Sequence, residues 1–339
     1  LTPDEIRDFF RQSMELEVDA ESLAILEQRT EGWIVGLRLA ALSLRDGGEL
    51  TALTRNLAGS DRHVTDYLLA EVLSHQPQAV QEVLLRSSIL RRFCVSLLDA
   101  LLDHDRSVNS RAPDGGTQAM LEWMERSGLF LVALDDERAW YRYHHLFREL
   151  LQHKLRSESS EEVVASLHIR ASDWFAAEGL IAEAMYHALA AGDAPRAARL
   201  VEQHRHALLN REDWHALVRW VDLLPQEVVH QRPGLLLARA WHQQWRWQYA
   251  TMPPLLQMAE ELISRDLDSI TEVERQIIRG EIDTLWSALW FARGDGPRCL
   301  ESAQRARERL PAALVYARSM FLEYLAWGYQ MTGQAGAGI

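Results

Sequence analysis

YRYHHLFREL, residues 141–150, closes a run of strand character and opens a helix, so His144 and His145 fall at a strand-to-helix junction. Upstream, Leu129–Leu134 and Ala139–His144 are two short β-like runs joined by Asp135-Asp136-Glu137-Arg138, which predicts a hairpin with a four-residue loop. Ahead of the hairpin the spacing of apolar residues predicts helices. Val64, Tyr67, Leu68 and Val72 share one face, Val80 and Leu84 mark a helix begun by Pro77, and a short one covers Leu97 to Leu102. Asp103 to Gly116 is polar and reads as a loop; Thr117 is placed to cap a helix through Met120, Trp123 and Met124 that stops at Gly128. Helices followed by a hairpin predict a winged-helix domain over 49–156.

The N-terminal segment is also helical. Thr2-Pro3-Asp4-Glu5 supplies a cap, a proline suited to the first turn and a capping-box glutamate, and Ile6, Phe9 and Phe10 give the apolar face. A second helix carries Leu23 and Leu26. A third, from Gly32-Trp33, carries Ile34, Leu37, Ala41 and Leu44 and ends at Gly47-Gly48. Residues 1–48 are too little for an independent domain, and are expected to be a helical lid belonging to a neighbour.

After Ser157–Ser160 the β signals vanish, and helical faces follow one another to the end of the chain. Two turns echo each other: Gly192-Asp193-Ala194-Pro195-Arg196-Ala197 and Gly294-Asp295-Gly296-Pro297-Arg298-Cys299 agree at four of six positions and lie 102 residues apart. That separation is close to three periods of about 34, the length of a tetratricopeptide repeat. Residues 157–339 are therefore expected to form an α-solenoid of helix pairs, each packed against its neighbours. The fold class expected is mainly α: a helical lid remnant, a winged helix with one β-hairpin, then the solenoid. Leu1 is not an initiator, and the last helix runs nearly to Ile339, so the chain is expected to be an internal segment of a longer protein.

Composition narrows the function. The 339 residues are 47% hydrophobic, enough for real cores, and 36 basic against 49 acidic residues give a formal net charge of −13. That balance repels phosphate backbones and disfavours broad nucleic-acid binding. The expected recognition helix of the wing, Thr117–Arg126, holds Glu122, Glu125 and a single arginine. Two cysteines, Cys94 and Cys299, in different expected domains fit a reducing cytoplasm, and no apolar run approaches the ~20 residues that span a bilayer. Neither a phosphate loop nor a Gly-x-Ser-x-Gly elbow is present, nor any Cys-x-x-Cys or His-Glu-x-x-His pattern, so no catalytic residue and no metal site is expected. His145, Glu149 and His153 recur at every fourth position, a spacing that also suits a solvated helix face. His204 and His206 point to different sides of a helix and read as solvated.

The expected solenoid holds nine of the twelve tryptophans. Trp241, Trp245 and Tyr249 recur at helical spacing, with Gln243, Gln244 and Arg246 among them, and Trp286 and Trp290 repeat the pattern. Such residues either line a groove for a small molecule or partner, or fill gaps between helix pairs. The ligand or partner candidates are Trp241, Gln244, Trp245, Tyr249, Trp286 and Trp290.

Three blocks, TEGWIVGLRLAALSL (30–44), DRHVTDYLLAEVLSHQPQAVQEVLLRSSIL (61–90) and LEWMERSGLFLVALDDERAWYRYHHLFRELL (121–151), together resemble the MalT-type regulators. These are STAND-class ATPases with a LuxR-type helix-turn-helix at the C-terminus. The likeness continues more loosely through WFAAEGLIAEAMYHALAAGDAPRAARLVE (174–202). The resemblance implies a nucleotide held between a P-loop core and the lid plus winged helix. Related switches contact the ADP β-phosphate with the histidine of a Met-His-Asp motif, whose positions here are Tyr143, His144 and His145. His144 keeps the histidine, whereas His145 stands where the acid would be. The lid's Gly-Leu-Pro-Leu motif falls on Gly36-Leu37-Arg38-Leu39, with Arg38 in place of the adenine-contacting proline. The nucleotide-contact candidates are thus His144, His145, Gly36 and Arg38, and the residue-level alternative is that His144 packs beneath the hairpin.

The resemblance further implies ATP or ADP in the parent but no cofactor in this segment, and a small-molecule inducer or protein partner on the solenoid. It implies self-association of the parent, promoter DNA bound only through a separate C-terminal domain, and no membrane. The competing expectation is a helical-repeat scaffold with a structural winged helix.

Overall fold

The computed structural model describes residues 3–14, 23–24, 73, 76–102, 116–126, 131–265, 270–334 and 336. It divides into two compact units, Leu1–Trp174 and Phe175–Ile339. Gly36, Arg38, the helix expected over Val64–Val72 and the loop expected over 103–115 lie outside the described residues. So does most of the lid, of which α1, Pro3–Met14, is the main described part. There Asp4 and Glu5 occupy the first turn and Arg11 the last, matching the helix dipole, and Ile6 and Phe10 are fully buried.

The wing unit is built from α2 (Gln78–Ser87), α3 (Val95–Leu102), α4 (Gly116–Arg126), β1 (Leu131–Ala133), β2 (Tyr141–Tyr143), α5 (His145–Glu158) and α6 (Glu161–Ala177), whose last residues cross into the second unit. Its core is Val80, Val83 and Leu84 from α2, Leu97, Leu98 and Leu101 from α3, Met120, Leu121 and Met124 from α4, and Phe147 and Leu151 from α5. Each large side chain fully buried in this way contributes roughly 1.5–3 kcal/mol. The winged-helix architecture read from the sequence is present.

Two local features differ from expectation. The hairpin register is Leu131↔Tyr143, Val132↔Arg142 and Ala133↔Tyr141, and the Leu134 N–H donates to the Trp140 carbonyl at 2.8 Å. The loop therefore has five residues, 135–139, instead of four. Asp135 explains the extra residue: its carboxylate accepts from the N–H of Ala139 at 2.7 Å and of Trp140 at 3.0 Å, and Arg138 takes φ +53° to close the turn. Secondly, Thr117 lies inside α4 and does not cap it; its hydroxyl donates to Asp99 at 2.5 Å. Phe93 adds one bridge to the other side of Tyr141, with paired N–H···O bonds of 2.8 Å, so the wing gains a third, minimal strand.

The second unit is helical throughout its described residues. Its helices are α7 (Ile181–Ala190), α8 (Ala194–Asn210), α9 (Trp214–Asp222), α10 (Gln226–His230), α11 (Pro233–Trp245), α12 (Pro253–Arg265), α13 (Glu272–Ala292), α14 (Gly296–Arg309) and α15 (Val315–Met331). The two echoed turns adopt the same geometry. Gly192 and Gly294 are left-handed, with φ of +77° and +74°. Asp193 then accepts from Arg196 N at 2.9 Å, as Asp295 does from Arg298 N at 3.1 Å, with proline in the first turn of both helices.

The same C-terminal corner recurs at Gly179, Glu212, Trp247 and Gly333: a left-handed residue after the helix, whose N–H and the next reach back to the last turn. At Gly192, for example, the acceptors are the Leu189 and Ala188 carbonyls. Packing is less strictly sequential than a simple repeat array predicts. Helix α8 meets α10, α11 and α15 as well as its chain neighbours and is bonded to α13 by Arg205–Glu281, and Asn210 is bonded to Ala313 O and Tyr316 N at 3.0 Å each.

Candidate functional site

The junction between β2 and α5 is held from both sides. Tyr143 is buried, its hydroxyl lies 2.7 Å from Ser87 Oγ on α2, and its ring meets Phe93 at 4.8 Å and Phe147 at 5.9 Å. Burial raises the Tyr143 pKa well above the phenol's usual value, so the hydroxyl keeps its proton and can serve as a donor. Gln152 on α5 donates to the Ser88 carbonyl at 2.7 Å, fixing the helix against the end of α2.

His144 follows directly, with extended backbone (φ −52°, ψ 138°) at the N-cap of α5. The His144 side chain makes no capping bond to this helix, and the first turn holds no acidic residue. The helix start thus presents partial positive charge beside two histidines, a setting that suits an anion. His144 and His145 are both partly exposed as residues, and the Nδ1 atom of His144 is buried. The sequence candidates His144 and His145 are brought together here; Gly36 and Arg38 are outside the described residues.

The aromatic candidates separate into two groups. Trp241 is 0% exposed, and its indole N–H donates to Glu281 at 2.9 Å. Gln244 is buried too, donating to the Tyr324 hydroxyl at 2.9 Å and accepting from Tyr316 at 3.4 Å. These two serve the core, because every polar atom they offer is turned toward a neighbouring helix. Trp245 is 43% exposed, stacked on Trp214 at 5.6 Å and on His242 at 5.9 Å. Tyr249 lies edge-on to the exposed Trp247 at 6.0 Å. Trp286 and Trp290 stand apart from this cluster, stacked on each other at 5.7 Å; Trp286 donates to Glu260 and Arg298 lies over Trp290.

A polar centre the sequence did not reveal lies among α8, α11 and α13. Glu281 is 0% exposed. Its Oε1 accepts from Arg205 at 2.7 Å and Trp241 at 2.9 Å; its Oε2 accepts from Arg205 at 2.6 Å and lies 3.1 Å from His206 Nε2. Burial alone would push the carboxyl pKa up, but Arg205, assisted by His206, holds it well below the usual carboxylate range. The expectation of a solvated His206 is corrected: the Arg205–Glu281 pair draws this turn of α8 against α13, and the adjacent imidazole comes with it. His204 instead bonds back to the Leu200 carbonyl at 2.9 Å. No spacing rule points to Glu281, since Arg205 lies 76 residues away.

Above this centre opens a groove of about 680 Å³, walled by α8, the start of α11 and the start of α13. Gly234 permits it: a Cβ there would sit 2.9 Å from Glu202 and 3.2 Å from Arg205. Among the described residues no helix is long and apolar enough to cross a membrane.

Residues 69–163 match the MalT winged helix domain. The chain is 31% identical to the HTH-type transcriptional regulator MalT of Klebsiella pneumoniae over 319 residues, covering 94% of the chain and 33% of that protein. It is 37% identical to the serine/threonine-protein kinase PknK of Mycobacterium tuberculosis over 271 residues, 80% of the chain and 23% of the kinase. Among solved structures it is similar to a Signal Transduction ATPase with Numerous Domains (STAND) protein with a tetratricopeptide repeat sensor from Pyrococcus horikoshii. There the TM-score is 0.53 at 15% identity, over 100% of the chain and 46% of the other. The chain spans roughly a quarter to a third of the length of the MalT and PknK relatives.

Proposed function

We propose that this chain, which carries a winged helix domain of the MalT type followed by a helical array, is the regulatory middle of a signal-responsive, ATP-dependent transcription regulator. In this reading the wing helps hold an ADP-bound resting state, and His144 donates an imidazole N–H to a phosphate oxygen of the nucleotide. The array receives an inducer or partner and thereby permits nucleotide exchange and self-association of the parent. Promoter DNA is bound by a separate domain, and any hydrolysis belongs to a nucleotide-binding core, since the phosphate-loop motif is absent from these residues.

The observation that carries the reading is the placement of His144 and His145 at the acid-free start of α5. A hydrogen bond to a charged group is worth about 1.5–3 kcal/mol, which shifts a two-state balance roughly 10- to 100-fold. That is the scale a switch contact needs. In the parent protein, His144→Ala is expected to weaken ADP binding by about that factor and to raise activity in the absence of signal. Unchanged ADP affinity together with unchanged basal activity would remove His144 from the mechanism.

A second reading is favoured by the kinase similarity. Similar sequence lies within proteins named for different outputs, a transcriptional regulator and a protein kinase. That distribution suits an input module which can govern either output. Reading the parent's flanking sequence separates the two: a LuxR-type helix-turn-helix supports the first, a kinase domain the second.

A further inference from the structure

The groove above Glu281 has a chemistry of its own. Its carboxylates are engaged, Glu281 through both oxygens and Glu202 and Glu274 through one oxygen each. Glu202 accepts from Arg232 at 2.7 Å, Glu281 is saturated by Arg205, Trp241 and His206, and Glu274 accepts from the backbone N–H of Thr271 at 3.0 Å and its hydroxyl at 2.7 Å. Its donors are not. Arg232 spends one guanidinium nitrogen on Glu202, while Arg199 at the rim and the amides of Gln203 and Gln231 face the same space with no hydrogen bond among the described residues. The opposite wall is aliphatic, formed by Ile270, Ile277 and Ile278. Against the second oxygens of Glu202 and Glu274 and the two amide oxygens, the guanidinium and amide N–H groups are more numerous, so the remaining hydrogen-bonding capacity is weighted toward donors on one side, and the other is mostly aliphatic. At about 680 Å³ the space is within the usual range for small-molecule sites.

We propose that this groove, and not the tryptophan-rich helices, binds a small organic anion, with its anionic group against Arg199 and Arg232 and its aliphatic body on the isoleucines. The proposal rests on reading the array as a sensor, and it names the sensing site and the ligand's chemistry. Occupancy would be felt through the floor: Glu281 joins α8 to α13 by Arg205 and to α11 by Trp241, so a ligand bridging the rim closes a connection among the same three helices. A sugar is disfavoured, because among the described residues no tryptophan, tyrosine or phenylalanine lines the groove to stack on a pyranose face, and the His206 imidazole is held at Glu281.

Titration calorimetry on the whole chain tests this with three probes: glutarate as carboxylate, glycerol 3-phosphate as phosphate ester, and glutaramide as the neutral control. One of the anions is expected to bind and the diamide not, and the stronger anion identifies the source of the charge. Arg199→Glu, at an exposed position where refolding is not at issue, should weaken binding at least about tenfold. Ile277→Trp, which fills the groove, should abolish it, whereas Arg239→Ala, on α11 and bonded to Gln226, should leave it unchanged. Binding of neither anion, or equal binding by the wild type and Arg199→Glu, overturns the proposal. Light scattering of the parent separates the two levels: groove binding without any change in self-association keeps the site and removes its sensor role.

Discussion

Glu281→Gln replaces one carboxylate oxygen in a centre where each oxygen faces two donors. Whichever way the new amide turns, its NH₂ points at the Arg205 guanidinium and at either Trp241 or His206. The substitution also leaves Arg205, only 5% exposed, without its counter-charge. Breaking one side of a buried ion pair costs about 3–5 kcal/mol, a large share of the 5–15 kcal/mol that holds a typical domain. With a urea dependence near 2 kcal/mol per molar, the midpoint for the second unit should fall by roughly 1.5–2.5 M. Tryptophan fluorescence is a suitable signal, since Trp241 donates directly to the altered group.

The pair Arg205→Met with Glu281→Leu should be more stable than either single variant, because no unpaired charge remains. The folded pKa of Glu281 lies below the unfolded value of about 4.3, so its stabilisation is complete above that pH and is lost as pH falls toward the folded value. Glu281→Gln should remove that part of the acid sensitivity. A midpoint shift below about 0.5 M, or strict additivity in the double variant, would refute the account.

Other expectations follow from single features. Gly294→Ala, at φ +74° with open space around a new Cβ, should cost about 1 kcal/mol through the backbone alone. Trp247→Gly, at φ +59° and 75% exposed, should be neutral or stabilising by up to about 1 kcal/mol; thermal unfolding of both compares the corners. His168 on α6 is buried, and desolvation, with a smaller push from Arg156, lowers its pKa to about 4. The unfolded chain then takes up the proton first, so this group's stabilisation is full above about pH 6.5 and disappears as pH falls toward 4; His168→Gln should flatten denaturation midpoints across that window. Mobility-shift assays at low salt should show no duplex binding by this chain, since α4 presents Glu122 and Glu125 where a reading helix would carry bases' donors.

The winged helix was legible because its signals are local: alternation in Tyr141–Tyr143, the acidic turn at Asp135, and apolar spacing in α2 and α3. The helix-pair array was legible where Gly-Asp-x-Pro-Arg announces a corner. It was not legible at Glu212 and Trp247, which adopt the same left-handed corner without the residue that normally marks it. Trp241 and Trp245 share one helical spacing, yet one is sealed and the other exposed, because α13 packs against the first and no helix covers the second to the same degree. Long-range pairing is the hardest to foresee. Glu281 is one acid among several on α13, and only the tertiary approach of α8 singles it out. The groove was not legible for the same reason, since its donors come from α8 and the Gln231–Arg232 turn and its aliphatic wall from α13.

The Tyr143 hydroxyl bonded to Ser87 has an effect on His144 beyond packing. Because the preceding side chain is pinned to α2 and the following helix to Ser88 by Gln152, the imidazole rides on a stiff mount. The backbone at His144 cannot unwind locally without dismantling the hairpin. If a nucleotide phosphate is held there as proposed, carrying the backbone away from it would be a lever stroke of the entire wing, an abrupt release in place of a gradual loosening.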